Sequence, residues 1–430
     1  MAQWSEKKLF GHPRGLAVLF LTEMWERFSY YGMRALLVYY MVKHLMFTQA
    51  HASQIYGVYT GLVYLTPFFG GILADRALGQ RKAVILGALL MAIGHFLMAF
   101  QSLFFPALLF LILGNGAFKP NISTQVGNLY PAGDPRRDRA FSIFYVGINV
   151  GAFFSPLVCG TLGEVYGWHY GFSAAGVGMV VGLIIYLRGQ RWLAPDSLME
   201  RKFDEKTTRG CLTKDETNRI WGLIAVCLIS VAFWAAYEQQ GNTVALWADS
   251  HTDRNVFGWE FPASWFQSLN PAFVFLFTPF VTSFWAWQSR KRSEPSAVSK
   301  MAVGCFLLAA GFLVMIPAAR FYEEAGTRGS MLWLVFFTLL VTLGELYLSP
   351  VGLSLVTKLS PARIVSMMMG VWFLSSFVGN YAAGFLGRYW EKMPKDAFFL
   401  MIAAMAFAAG LAILLILKPL KRTIGPDHDM

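Results

Sequence analysis

Residues 15–43 read Gly15-Leu-Ala-Val-Leu-Phe-Leu-Thr-Glu23-Met-Trp-Glu26-Arg27-Phe-Ser-Tyr30-Tyr31-Gly-Met-Arg34-Ala-Leu-Leu-Val-Tyr-Tyr-Met-Val-Lys43. A helix needs about 20 apolar residues to cross a ~30 Å hydrocarbon core, and this stretch exceeds that. Yet it holds Glu23, Glu26, Arg27 and Arg34 well inside it. Each charge at mid-membrane costs about 2.5–3.5 kcal/mol on insertion scales, so such residues pair or serve a function. Relative to Glu23, the residues Glu26, Arg27, Tyr30, Tyr31 and Arg34 fall within roughly 140° of arc at about 100° per residue. One polar stripe on an apolar helix must face other helices or a water-filled cavity. The stretch therefore belongs to a bundle of membrane helices and is no solitary anchor.

The rest of the chain supplies the bundle. Of 430 residues 56% are hydrophobic and only 14% charged, whereas soluble domains carry about 25% charge. Length alone would suggest about three soluble domains, but apolar runs recur from end to end. Spans are expected at 15–43, 52–74, 82–100, 104–128, 138–162, 168–188, 219–248, 262–287, 297–319, 330–358, 361–388 and 396–418. Helices are the required form, because open strands leave their backbone unpaired in lipid, and the ~10-residue alternation of barrel strands is missing. The expectation is an all-α membrane protein with twelve transmembrane helices.

The formal charge of +11 has a topological explanation. One set of connections holds 26 of the 36 lysines and arginines, the opposite set 7, and Arg27, Arg34 and Lys119 lie inside spans. Basic residues collect on the cytoplasmic side, so both termini are expected there, and no nucleic-acid partner is needed. The polar, basic stretch 189–218 reads as a cytoplasmic linker between six-helix halves at 1–188 and 219–430. Cys159, Cys211, Cys227 and Cys305 show neither metal-ligand nor disulfide spacing and read as small buried residues. The first apolar segment is too long for a cleavable signal peptide, and further spans follow it directly.

The halves echo each other. Gly114-Asn-Gly-Ala-Phe-Lys119-Pro120 matches Gly344-Glu345-Leu-Tyr-Leu-Ser349-Pro350 in spacing, and Thr66-Pro67-Phe68 matches Thr278-Pro279-Phe280. Six-helix repeats around a central site are a transporter architecture. Depth then suggests partners. At 1.5 Å per residue, Arg34 and Glu238 reach one level in the outer half. Lys119 and Glu345 match near or just below the middle. Two ion pairs at different depths, each joining one half to the other, would make two gates. A glutamate whose hold on a proton depends on burial and a nearby arginine could couple the gates to a proton. The competing reading is static glue, against which stands the small net stability of buried pairs.

Other polar groups within the spans suit an amide-bearing ligand. Asn149 and Asn270 both donate and accept, and Tyr30, Tyr64, Trp234 and Trp372 offer aromatic walls with one polar tip each. Packing or lipid contact is the alternative for each aromatic. His95 lies in its span without acidic company and reads as a packing residue.

These residues also resemble a known family. Gly70-Gly-Ile-Leu-Ala-Asp75-Arg76-Ala-Leu-Gly79-Gln-Arg81-Lys82 is similar to the signature between helices 2 and 3 of the major facilitator superfamily. Glu23-Met-Trp-Glu26-Arg27 with Tyr30, Tyr31 and Arg34 resembles the first-helix ExxER motif of the proton-dependent oligopeptide transporters. Phe144-Tyr145-Val-Gly147-Ile-Asn149-Val-Gly151 resembles their fifth-helix signature. Lys119-Pro120, Trp234, Glu238-Gln239, Ser268-Leu-Asn270-Pro271, Glu345 and Gly370-Val-Trp372 fall where members carry functional residues. The resemblance implies a major facilitator fold and a bacterial inner-membrane symporter of di- and tripeptides, with the proton as coupling ion, no cofactor or metal, and a monomeric unit. Glu23, Glu26, Arg27 and Glu238 would serve proton coupling. Tyr30, Tyr31, Arg34, Tyr64, Lys119, Asn149, Trp234, Asn270, Glu345, Ser349 and Trp372 would bind substrate. Among these, Arg34 and Lys119 would draw the peptide carboxylate, and Glu345 the α-ammonium. Many bacterial members carry two extra helices between the halves, for which this linker is too short.

Three other functions compete, of which a receptor is disfavoured by twelve spans and a repeated architecture. A transporter of another small anion or zwitterion would share the fold but be inhibited weakly by dipeptides. A membrane-embedded transferase would need a nucleophile, metal ligands or an Asp/His cluster near one membrane face. No aspartate lies deep in any expected span, and the histidines are scattered.

Overall fold

The computed structural model describes residues 8–9, 11–131, 134–195, 213–361 and 364–424. The linker stretch 196–212, with Cys211, lies outside them. The long helices are α1 (Arg14–Lys43), α2 (Gln49–Leu73), α3 (Gln80–Leu97), α4 (Phe104–Asn128), α5 (Arg136–Ser155), α6 (Trp168–Gly189) and α7 (Lys214–Tyr237). A short α8 (Thr243–Ser250) precedes α9 (Leu269–Arg290), α10 (Ala297–Ala325), α11 (Leu332–Leu359), α12 (Val365–Gly387) and α13 (Lys395–Ile424).

Among the described residues, ten helical segments are long and apolar enough to cross a membrane. They comprise α2 to α6, the joined α7 and α8, α9 to α11, and α13. The 30-residue α1 carries the charges noted above, and α12 is a further apolar helix of 23 residues. Strands among the described residues are confined to two-residue pieces.

Three expected spans differ in form, the eighth by opening as a 3-10 turn at Ala263–Ser268 before α9. The fifth is α-helical only to Ser155; two π-helical turns, Pro156–Gly160 and Leu162–Tyr166, continue it. Pro156 lacks the N–H that would extend the α ladder, which explains a register change there. The seventh is interrupted by a 3-10 turn at Glu238–Gly241, followed by Asn242 at φ −116°, ψ −98°. Glu238 thus stands at a break in the helix.

The chain forms two compact units. The first comprises Met1–Met46, Leu62–Lys202 and Phe261–Pro271; the second comprises Phe47–Gly61, Phe203–Glu260 and Ala272–Met430. In the first, α1 packs on α5 and α6, and α3 on α4 and α6. In the second, α10 packs on α11 and α13, and α7 on α12 and α13.

Glycine sets the tightest approaches. A Cβ on Gly114 would meet the Gly87 carbonyl oxygen at 2.7 Å, and one on Gly344 would meet that of Gly304 at 2.7 Å. The internal sequence echo therefore marks the same backbone contact, α3 on α4 and α10 on α11. Proline follows in both α4 and α11, at Pro120 and Pro350. Pro120 cannot donate to the carbonyl of Gly116, and Gly70 packs so close to that carbonyl that a Cβ would lie 2.0 Å from it.

On the side of the basic connections, Gly79 turns α2 into α3 with φ +79°, a conformation that favours glycine. Arg81 then donates to the carbonyls of Leu193 and Ala194, with contacts of 2.6 Å to each. Nearby, Arg136 holds Asp134 through contacts of 2.6–3.1 Å and reaches the Gly11 carbonyl at 3.2 Å.

Candidate functional site

In the first unit, α1 carries Glu23, Glu26 and Arg27 along its length. Glu23, Glu26 and Arg27 are all buried. Arg27 Nε lies 2.5 Å from Glu26 Oε2 and 3.1 Å from Glu23 Oε1. Glu26 Oε1 also accepts from Asn115 Nδ2 of α4 at 3.2 Å. Among the described residues, Glu23 Oε2 and Arg27 Nη2 are buried without a partner. Two carboxylates sharing one guanidinium, with an acceptor and a donor left over, form a group whose charge balance one proton would change.

The aromatic neighbours are cation supports. Arg27 lies 5.3 Å from the Tyr30 ring centre, Arg34 6.0 Å from Tyr31, and Lys119 Nζ 4.7 Å from Tyr64. Lys119 is one helical turn along α4 from Asn115, so α4 presents successive polar groups within this unit.

The fifth-helix motif has a packing explanation. A Cβ on Gly147 would come within 3.1 Å of the Phe20 carbonyl oxygen, and one on Gly151 would lie 2.2 Å from that of Met24. Glycines one turn apart let α5 lie directly against the α1 backbone that carries Glu23 to Arg27. Asn149, between them, donates Nδ2 to the carbonyl of Tyr145 at 3.0 Å.

Asn270 belongs to the first unit as well. Its segment is fastened to the end of the fifth span. The Glu164 carboxylate accepts the backbone N–H groups of Ala263 and Ser264 at 3.0 and 2.9 Å. Trp265 donates to Thr161 at 2.9 Å, and Ser268 to the Phe153 carbonyl at 2.8 Å. Ser268 is two residues from Asn270, and Phe153 is one turn from Asn149. The two asparagines that sequence reasoning assigned to one ligand are thereby tied to neighbouring turns.

In the second unit, Glu345 Oε2 accepts the Tyr237 hydroxyl at 2.7 Å. Tyr237 packs edge-on against Trp234 and stacks on Phe233. Trp234 is buried and its indole N–H has no acceptor among the described residues. Ser349 follows Glu345 one turn along α11. Trp372 is buried over Gly352, where a Cβ would meet the ring at 2.1 Å. Glu238 is buried, and the adjacent Gln239 bonds to the Ala235 and Ala383 carbonyls.

Sequence reasoning missed Asn115, Tyr237 and Glu164. Asn115 and Tyr237 were legible as polar residues beside Lys119 and Glu238. Glu164 lay past the expected end of its span, and only the π-helical extension gives it a role. His95 is buried, its Nδ1 without a partner among the described residues, and Cys159, Cys227 and Cys305 are buried as well.

Ionic and amide side chains buried along membrane helices are what a transport path through a bilayer would use. A model of the POT family matches residues 81–213 and 199–402. The chain belongs to this family, whose members are transporters and not enzymes. It is 36% identical to the peptide transporter YePEPT of Yersinia enterocolitica, covering 97% of this chain and 96% of that one. It is 34% identical to a di-/tripeptide transporter of Lactococcus lactis subsp. cremoris, covering 98% of each. A solved structure of a peptide transporter POT in complex with sulfate superposes with a TM-score of 0.89 at 34% identity, over 97% of each chain.

Proposed function

We propose that this protein imports di- and tripeptides by proton symport and alternating access. The observation that carries the reading is the buried cluster of Glu23, Glu26 and Arg27 on α1, with one carboxylate oxygen and one guanidinium nitrogen lacking a partner among the described residues. A proton entering this cluster changes its charge, and a change of charge inside a membrane helix is costly enough to drive a choice between conformations. Arg34 and Lys119 receive the peptide carboxylate, Glu345 the α-ammonium, and Asn149 and Asn270 the backbone amide. Tyr30, Tyr31, Tyr64, Trp234, Ser349 and Trp372 line the side-chain space. Arg34 with Glu238, and Lys119 with Glu345, serve as the two gate pairs. Substrate ends compete for Lys119 and Glu345, so binding releases that gate.

In this reading α1 and α12 also span the bilayer, giving twelve spans in two halves, 1–188 and 219–430, joined by the linker 189–218. Both termini face the cytoplasm, the membrane is the bacterial inner membrane, the unit is a monomer, and the proton is the coupling ion with no cofactor. Two points support the count. The family-model matches meet at 199–213, inside the linker. The alignment to YePEPT runs over 500 positions although this chain has 430 residues, so it skips material the relative carries. At ~100 mV and ~1 pH unit, one proton supplies about 3.7 kcal/mol, enough to concentrate a neutral zwitterion about 500-fold.

The test is uptake of labelled dialanine into proteoliposomes under an inward proton gradient. Uptake should collapse with a protonophore and be blocked by unlabelled dipeptides but not by free alanine. Glu238→Gln and Lys119→Ala should abolish gradient-driven accumulation. Full accumulation by both folded variants would overturn the coupling mechanism, and no uptake by the oriented, folded parent would overturn the peptide assignment.

A further inference from the structure

Within the second unit, the end of α9, the start of α10 and the end of α11 enclose a cavity of about 1030 Å³. It contains none of the residues assigned above to peptide or proton. Its wall carries Arg292, Lys300 and Lys358, the single carboxylate of Glu294, and the hydroxyls of Ser289 and Ser354. Glu294 is already engaged by Lys300. That hydrogen bond, helped by Ser289 and Lys358, holds its carboxyl below the usual carboxylate range. Arg292 and Lys358 are exposed and make no ion pair among the described residues, so the wall is rich in positive charge and donors.

An aromatic ring also borders Lys300. Lys300 Nζ sits 4.2 Å from the centre of the Trp285 ring, which also lines the cavity. The indole N–H of Trp285 is buried and has no acceptor among the described residues. That atom is closed off from the cavity, so recognition there falls to the cations and hydroxyls. The first unit shows why the space is open here. There the equivalent connection, between α2 and α3, is covered by Leu193 and Ala194, whose carbonyls Arg81 binds. No described segment plays that part in the second unit.

Three cations and two hydroxyls around one occupied carboxylate match a tetrahedral oxyanion with several acceptor oxygens. The volume is many times the ~30 Å³ share of a water molecule, and Val351, Leu355 and Leu359 give α11 an apolar wall. We propose that this cavity is a phosphate-binding site that takes the headgroup of an anionic phospholipid at the basic face of the membrane. It would act on α11 one residue beyond Ser349, whatever the transported substrate. Clustered basic residues next to membrane helices are a recognised basis for anionic headgroup recognition.

The experiment uses the full-length protein in nonionic detergent and counts bound molecules by native mass spectrometry. Dioleoyl phosphatidylglycerol, dioleoyl phosphatidylcholine and inorganic phosphate are titrated separately. Saturable phosphatidylglycerol binding is expected, with phosphatidylcholine far weaker. The double variant Arg292→Gln, Lys358→Gln should weaken the anionic lipid about thirtyfold, and Glu294→Gln should tighten it. Phosphate binding that the double variant loses, without lipid binding, would keep the site and assign free phosphate to it. Equal binding of the two lipids with no response to phosphate would overturn the proposal. So would undiminished phosphatidylglycerol binding by a double variant that melts like the parent.

Discussion

Tyr237 donates to Glu345 from the turn just before the helix breaks at Glu238. A hydrogen bond to a charged group contributes about 1.5–3 kcal/mol. Glu345 is only partly buried, which favours the lower end of that range. Tyr237→Phe keeps the ring packed against Trp234 and Phe233 but removes the donor. The expected result is a rise of about tenfold in KM for dialanine uptake with little change in melting temperature. Inhibition by N-acetyl-dialanine, which has no ammonium for Glu345 to meet, should stay as in the parent. An unchanged KM would separate Glu345 from ammonium binding. At this scale the candidate site was legible where charge stood out against apolar surroundings, as at Glu23, Lys119 and Glu345. Neutral partners were harder to see, because an asparagine or tyrosine in an apolar run has several ordinary uses. Asn115 and Tyr237 acquire roles only once the chain brings α4 to α1 and α7 to α11.

Most helix positions followed from span length and from the cost of an unpaired backbone in lipid, so helix ends agree with expectation to within several residues. The fifth and seventh spans depart where local chemistry overrides length. Pro156 shifts the fifth span into π-helical turns, and the sequence around Gly241-Asn242 breaks the seventh. Neither is visible in hydropathy, which does not sense backbone register. The π-helical extension sets Glu164 to cap the segment that carries Asn270. Glu164→Gln leaves one carbonyl oxygen to serve two N–H groups and turns an amide donor toward them. The variant should lose about 1–2 kcal/mol of stability, measured as a lower melting temperature in detergent, and should bind dialanine more weakly. Glu164→Gln with parental melting and parental KM would show that the cap positions nothing. Gly344→Val tests the helix pairs more severely. Its side chain would collide with the Gly304 backbone of α10, so folded yield should fall sharply.

For the molecule as a whole, the proposal places pH sensitivity inside the helices, and the basic face offers a direct comparison. Asp134 is held at about 2 by the hydrogen bonds of Arg136, against an ordinary value of 3.8. A depressed carboxyl contributes stability above its unfolded value and loses it only as pH falls through the folded one. This pair therefore stays intact between about pH 5 and 8, where uptake would be driven. Glu294 is likewise held below the ordinary range by Lys300. Tyr130, pushed up to about 12 by burial, keeps its proton over the same interval. The Tyr130 hydroxyl also lies 2.8 Å from Nδ1 of His12. Uptake of dialanine should accordingly keep the shape of its pH profile in Asp134→Asn and in His12→Gln, even if the amplitude changes. Glu23→Gln, which removes a carboxylate from the α1 cluster, should flatten the same profile. A profile displaced by Asp134→Asn or His12→Gln but untouched by Glu23→Gln would move proton sensing from the helix interior to the membrane's basic face.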